Sequence, residues 1–522
     1  MKRITLFDTT LRDGAQTEGI SFSLEDKIKI AKLLDELGIH YIEGGWPGSN
    51  PKDIEFFKAI RGIKLNHAKI VAFSSTRRPK IKVEDDKNIA TLLAADTPAV
   101  SIFGKCWDFH VTEALKTTLE ENLAMIKETI AYAKKAGKEV IFDAEHYFDG
   151  YRANPEYAIK CLKAAEEAGA DILCLCDTNG SMLAYVTQKI INETKPHVKT
   201  PLGMHAHNDS DCAVSCTGMA VHCGCVHVQG TINGYGERCG NANLCSIIPI
   251  LKLYAGIDVV TDKQLKRLTE ISRRIAEIAN LPQSPHQSFV GRSAFAHKGG
   301  IHVSAVIKNP GTYEHIKPEL VGNERRVTIS ELSGVSNLLV KAKEYGVSLK
   351  KEAPEVKELI KQLKDLEHQG YSFEEGEASF ELLVKKTLGI IKPSFELEDF
   401  KIQTEKKGDG ATTVRAQVKL KIKGKPYEAT GQGDGPINAV DNALRKVLED
   451  IYPEIKTVKL TDYKVRVLDS EAGTAAKVRV IVESADETKV WGTVGVSTNV
   501  IEASWLALVD SIEYKLMMER EG

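Results

Sequence analysis

A chain of 522 residues is too long for one ordinary domain, and a hydrophobic content of 42% is enough for several large cores. The formal net charge of −2 leaves no electrostatic footprint for nucleic acid or for an anionic membrane, and Asp96, Lys252 and Asp258 interrupt the apolar runs that could otherwise span a bilayer. All ten cysteines fall between Cys106 and Cys245, in apolar segments such as Leu173-Cys174-Leu175-Cys176 and without a Cys-x-x-Cys pair, so they read as buried, reduced thiols of a cytoplasmic protein.

The first strand-like run begins at Arg3, which leaves no room ahead of it for a signal peptide. Eight strand candidates follow in chain order: Ile4–Asp8, Tyr41–Gly44, Ile70–Ser74, Ala99–Gly104, Glu139–Asp143, Asp171–Cys176, Pro201–His205 and Val226–Gly230. The segments between them read as helices. Ser23-Leu24-Glu25-Asp26 has the form of an N-terminal cap, apolar residues recur at Ile28, Ala31, Leu34 and Leu37, and Gly38 stops the helix. A second helix carries Leu115, Leu119, Leu123, Ile126 and Ile130 on one face and ends at Gly137. Eight βα units in this length predict an α/β fold, a TIM (β/α)8 barrel over residues 1–281, rather than an open sheet.

Pro282, Pro285 and Pro310 then break the pattern, and Lys341–Glu367 is charged and helical, so residues 282–393 read as small helical linker subdomains. Residues 394–522 contain a repeat. Thr412–Ile422 alternates, and Gly431-Gln432-Gly433-Asp434-Gly435-Pro436 leads into a helix near Asn438. Ala476–Val482 alternates in turn, and Gly492-Thr493-Val494-Gly495 leads into a helix near Val500. The repeat reads either as an ordinary α+β domain or as a ligand-sensing or dimerising module of two similar units; repetition alone does not choose between them.

Barrel active sites lie at the C-terminal ends of the strands, and polar residues collect there. Arg12 and Asp13 follow the first strand, Glu43 ends the second, and His110 and Glu145 follow the fourth and fifth. Thr178 follows the sixth, His205 and His207 end the seventh, and Asn241 follows the eighth. His205 and His207, two residues apart on an extended chain, face one side; with Asp13 they make a mixed N/O ligand set for a divalent ion such as Mg, Mn or Zn. Arg12 reads as a stabiliser of a developing oxyanion or as the ion-pair partner of a neighbouring carboxylate such as Glu43. Glu145 reads as a general base, a group that orients one, or a structural hydrogen-bond partner. Asn208 or Asp209 can cap the next helix, with Asp209 preferred. Gly234-Tyr235-Gly236-Glu237-Arg238-Cys239-Gly240 has the wrong spacing for a dinucleotide loop; its glycines instead let Asn241 approach the site.

These motifs match a known family. Asp8-Thr9-Thr10-Leu11-Arg12-Asp13-Gly14-x-Gln16, His205-x-His207-Asn208-Asp209 and Gly236-Glu237-Arg238-x-Gly240-Asn241 resemble the signatures of the DRE-TIM metallolyases, and specifically of the 2-isopropylmalate, homocitrate and citramalate synthases. Ala294-Phe295-Ala296-His297-Lys298-Gly299-Gly300-Ile301-His302 resembles the family's linker motif, and Gly433-Asp434-Gly435-Pro436 with Asn499-Val500-Ile501-Glu502-Ala503-Ser504-Trp505 its C-terminal regulatory domain of two βββα units. Ile42-Glu43-Gly44-Gly45-Trp46-Pro47-Gly48-Ser49-Asn50-Pro51 is similar to the citramalate branch.

The resemblance implies a Claisen condensation of acetyl-CoA with a 2-oxo acid, then thioester hydrolysis. It implies metal ligands Asp13, His205, His207 and Asn241; catalytic roles for Arg12, Glu145, His302 and Tyr313; and oxo-acid binding by Glu43, His110 and Thr178, with Gln16 close by. For the citramalate branch the oxo acid is pyruvate and the effector at the C-terminal domain isoleucine; for the isopropylmalate branch they are 2-oxoisovalerate and leucine. It further implies a homodimer. More remote alternatives are an acyl-CoA lyase, an iron oxygenase with the same triad and a non-catalytic amino-acid sensor.

Overall fold

In the computed structural model the apolar runs form eight strands: β1 (Thr5–Asp8), β2 (Tyr41–Gly45), β3 (Lys69–Ser75), β4 (Ala99–Lys105), β5 (Glu139–Glu145), β6 (Ile172–Asp177), β7 (Leu202–Ala206) and β8 (His227–Gly230). They close into a barrel in chain order. β1 returns to β8 in parallel, with Thr5 opposite His227 and Asp8 opposite Gly230. The structure describes residues 4–328, 334–406, 408, 410 and 412–521; Arg3, where the sequence places the start of the first strand-like run, lies outside them.

Each strand buries both faces, which is why the runs are continuous rather than alternating. Phe7, Tyr41, Val71, Ala99, Ile141, Ile172, Cys174 and Cys176 fill the barrel's interior. Their neighbours in sequence, such as Leu6, Ile42, Ile70 and Leu173, point outward against the helices. Burying each such side chain stabilises by roughly 1.5–3 kcal/mol, so the two-faced core is the main source of the barrel's stability. The ten cysteines are free thiols, eight of them buried, with Cys212 half-buried and Cys239 exposed.

The helix Leu24–Leu37 begins with a capping box in which Ser23 and Asp26 each satisfy the other's backbone N–H, and Gly38 ends it at φ 89°. The second expected helix is shorter than its apolar stripe suggests. It spans Leu119–Lys135 and is capped by Thr118, whose hydroxyl accepts from the Glu121 N–H. Leu115 lies before it, after the short helix Asp108–Glu113; Lys116 at φ 54° prevents one helix from running through both.

A second compact unit comprises residues 296–315 and 326–522. It opens with the short parallel pair β9 (Ala296–His297) and β10 (Arg326–Val327). The helices Gly300–Lys308, Val335–Glu344, Pro354–Gln369 and Glu377–Thr387 accompany it. Two antiparallel three-stranded sheets follow. β11 (Glu396–Lys406), β12 (Thr412–Ile422) and β13 (Lys425–Gly433) precede the helix Pro436–Leu448. β14 (Lys459–Val467), β15 (Val478–Ala485) and β16 (Val490–Ser497) precede the helix Val500–Glu521. The repeat seen in the sequence is therefore two βββα units. Val414, Ala416, Val418 and Leu420 of β12 pack on Val440, Ala443 and Leu444, and also meet Trp505, Ile512 and Leu516 of the last helix.

Helix and strand approach closely at glycines of the third strand in each βββα unit. A Cβ on Gly431 of β13 would lie 2.4 Å from the Ala439 carbonyl, and one on Gly495 of β16 would lie 2.0 Å from the Ala503 carbonyl. Among the described residues, no helix is long and apolar enough to cross a membrane.

Candidate active site

Three ligand-bearing side chains converge at the C-terminal end of the barrel. Asp13 stands in the loop after β1, its N–H donating to Thr9 Oγ1 at 3.2 Å. His205 is on β7 and His207 follows it. His205 Nε2 and His207 Nε2 are 3.3 Å apart, and they lie 3.8 and 3.9 Å from Asp13 Oδ2. That triangle is close to the spacing of atoms sharing one small ion with bonds of about 2.1 Å.

Asn241 is bridged to His207 through the backbone and donates Nδ2–H to Asp13 Oδ1 at 3.0 Å. Its Oδ1 is buried without a hydrogen-bond partner among the described residues, as a further oxygen ligand would be. The glycines bring it there: a Cβ on Gly236 would fall 2.1 Å from Asn241 Nδ2, and Gly240, at φ 89°, passes against the Gly234 carbonyl.

The protonation states suit a cation. Burial, helped by His207, lowers His205 to about 4, and burial also lowers His207, so both rings are neutral with lone pairs to offer. Burial opposes ionisation of Asp13, but Arg12 and the two histidines outweigh it and hold the carboxyl well below the usual range. A divalent ion fits this mixed N/O donor set.

Arg12 spans two carboxylates. Nε donates to Glu43 Oε2 at 2.6 Å and Nη1 to Asp13 Oδ2 at 3.0 Å, while the guanidinium carbon sits 3.9 Å above the Phe73 ring. Thr9 also donates to Glu43 Oε2, at 2.5 Å. Glu43 is fully buried beneath Arg12, away from the cavity wall.

The cavity in front of the triangle has a volume of about 240 Å³. Arg12, Asp13, Gln16, Glu145, Thr178, His205 and His207 line it, together with Trp46, Phe73, Phe103, Asp143, Cys176, Glu237 and Arg238. Phe73 and Phe103 stack at 5.2 Å, and Trp46 meets both edge-on. One wall is therefore aromatic and the other charged, which suits a small anion carrying a short apolar group.

Glu145 is paired with Lys105 at 2.5 Å. His110 lies beyond the lining, its ring 4.1 Å from that of His146 and stacked on Trp107. Burial, then His146 and Lys105, lower its pKa, so it is neutral at neutral pH. His146, at φ 56°, donates its N–H to Thr178 Oγ1 at 2.9 Å and so ties the end of β5 to the end of β6. His302 and Tyr313 belong to the second unit, where both are exposed and their rings stack at 4.1 Å.

Asp209 does not cap the following helix. Arg238 donates to both of its carboxylate oxygens, at 2.7 and 2.8 Å, and to the Thr178 carbonyl at 2.7 Å. Asn208 takes the capping role instead, its Oδ1 accepting from the Ala213 N–H at 3.2 Å. Sequence reasoning also passed over Gln229, Asp143 and Ser101, a polar layer directly beneath the triangle. Their signal is their position: they are polar residues in barrel strands that are otherwise apolar.

Comparison with known proteins agrees with this arrangement. The HMGL-like family model matches residues 3–275, the homocitrate synthase post-HMGL domain-like model residues 289–371, and the LeuA allosteric (dimerisation) domain model residues 375–516. The (R)-citramalate synthase of Aquifex aeolicus is 54% identical over 100% of this chain and 99% of its own length. That of Geobacter sulfurreducens has the same identity and coverage. The 2-isopropylmalate synthase of Methanocaldococcus jannaschii is 32% identical over 99% of this chain and 96% of its own. With its barrel, its C-terminal repeat and its full-length likeness to these enzymes, the chain belongs to the HMGL-like family and, within it, to the (R)-citramalate synthases.

Proposed function

We propose that this chain condenses acetyl-CoA with pyruvate and hydrolyses the resulting thioester, releasing citramalate and CoA. The observation that carries the reading is the Asp13–His205–His207 triangle facing a small cavity with one aromatic and one charged wall. Asp13, His205 and His207, with Asn241 Oδ1, would hold a divalent ion that polarises the 2-oxo carbonyl when bound.

The chain's own groups do the rest. Arg12 keeps one terminal nitrogen, Nη2, uncommitted to Glu43 or Asp13 and so free to donate to the oxygen on which negative charge would develop. Gln16 and Thr178 bind the oxo acid's polar end, while Phe73 and Phe103 leave room for a methyl group. Glu43 acts from below by fixing Arg12, and His110 borders the pocket beside Glu145.

A base removes a proton from the acetyl methyl group, and the resulting carbanion attacks the keto carbon. The carbonyl oxygen gains the electron pair and then a proton. Water cleaves the thioester, and CoA leaves as the thiol. His302, with Glu145 and Tyr313, supplies the proton transfers, each worth typically ~10²–10⁴-fold. The enzyme works as a cytoplasmic homodimer in isoleucine formation, with isoleucine as inhibitor at the repeat of βββα units.

Free-CoA release with acetyl-CoA and Mg or Mn tests the reading, using pyruvate, 2-oxoisovalerate and 2-oxoglutarate in parallel. Release with pyruvate at least tenfold above the others is expected. Equal or greater release with 2-oxoisovalerate would overturn the choice of oxo acid. Isoleucine added to the same assay should inhibit, and indifference to it would refute the effector.

A further inference from the structure

The polar layer beneath the ligand triangle is wired in one direction. His205 Nδ1 meets Gln229 Oε1 at 2.9 Å, and Gln229 Nε2 meets Asp143 Oδ1 at 2.8 Å. The hydroxyl of Ser101 donates to the other Asp143 oxygen. Burial and the charge of Glu43 push Asp143 up to about 7, and once ionised it only accepts, so the Asp143 carboxylate fixes which end of the Gln229 amide faces it. The amide oxygen is left facing His205, whose Nδ1 must then carry the proton, and Nε2 is left bare on the side of Asp13 and His207.

The neighbouring contacts agree with that assignment. His227 Nε2 lies 3.4 Å from Gln229 Nε2, so it accepts, and its Nδ1 faces Thr5 Oγ1 at 3.0 Å. All of Ser101, Asp143, His205, His227 and Gln229 are buried. His207 has no such holder: its Nδ1 is buried without a partner among the described residues.

We propose that Gln229 is a positioning residue for His205, and that Asp143 and Ser101 act through it by fixing its amide's direction. The inference rests on the reading of Asp13, His205 and His207 as metal ligands. Only the Nδ1-protonated tautomer offers Nε2 to an ion, so the relay selects the binding form before the ion arrives. Partners that orient a ligating imidazole typically change metal affinity by about 10–100-fold when removed.

The test is the Mn²⁺ dissociation constant of the full chain, read from the paramagnetic resonance signal of free Mn²⁺. Gln229→Leu removes the acceptor, and binding should weaken by about 10–100-fold. Asp143→Ala frees the amide to turn over and should weaken binding about tenfold or more. Asp143→Asn keeps an oxygen towards Gln229 Nε2, with Ser101 turned to accept, and should bind within about threefold of the native chain. A folded Gln229→Leu chain within about twofold of native, or equal affinities for the two Asp143 variants, overturns the relay. If the variants fail to fold, the nitrogen-15 spectrum of the native metal-free protein decides. A proton on His205 Nδ1 supports the relay, and a proton on Nε2 overturns it. Native protein that binds no Mn²⁺ refutes the metal reading itself, whatever the tautomer.

Discussion

Arg12 shows how one side chain can serve stability and chemistry together. Burial works against its charge, yet Glu43 and Asp13 keep it cationic. Arg12→Ala leaves Glu43 buried and uncompensated, at a cost of about 3–5 kcal/mol. Arg12→Ala with Glu43→Gln should restore most of the denaturation midpoint, while CoA release stays at least ~10²-fold down. Recovery of activity along with stability would mean that the guanidinium is only a structural ion. His227 offers a cleaner electrostatic test. Burial, with some repulsion from His40, lowers it to about 3 from an unfolded value near 6.5. Between those values the unfolded chain binds a proton that the native chain does not, so stability rises with pH through this window and is lost as pH falls. The slope from this one group is about 1.4 kcal/mol per pH unit. His227→Gln should flatten the pH dependence of barrel unfolding between pH 4 and 6 by about that amount; an unchanged slope would show that His227 is protonated in the fold.

At the scale of elements, strands were easier to read than caps. Each of the eight barrel strands lies within one or two residues of its apolar run, because a strand buried on both faces admits little polar sequence. The Leu115 stripe misled because helical spacing continues across the turn at Lys116, where the backbone and not the side-chain pattern ends the helix. Asp209 misled because its partner Arg238 is brought alongside only when β7 and β8 pair. The two βββα units share a device that the sequence does show. Gly431 and Gly495 each lie on the third strand of a unit, where a methyl group would strike a helix carbonyl. Overpacking of this kind costs typically ~1–3 kcal/mol. Gly431→Ala and Gly495→Ala should each lower the melting transition of the C-terminal unit and leave that of the barrel unchanged, as seen by calorimetry. A barrel transition that shifts equally would contradict the assignment of these contacts.

For the whole molecule, the fold class and the repeat were legible because both are written as periodic patterns. The strand-end motifs point to the residues around the cavity because polar residues crowd where the barrel strands end. The layer of Ser101, Asp143 and Gln229 was not legible: Gln229 and Asp143 are separated by 86 positions, and only closure of the barrel turns them towards each other. His302, on the helix Gly300–Lys308, and Tyr313 came from the family resemblance alone, since nothing in their local sequence distinguishes them. The placement of the thiols has a practical consequence. Every cysteine lies in the first unit, and eight of the ten are sealed from solvent. A disulfide reagent should therefore label Cys239 at once and Cys212 more slowly. The remaining eight should react only as the barrel opens, pulsing in step with it at rising denaturant. Trp491 and Trp505 lie in the second unit, so fluorescence carries a signal from both parts while the thiols report one. The chain thus carries a built-in stopwatch for one half of its unfolding, and early release of more than two thiols from the native protein would show that the barrel breathes far more than its packing implies.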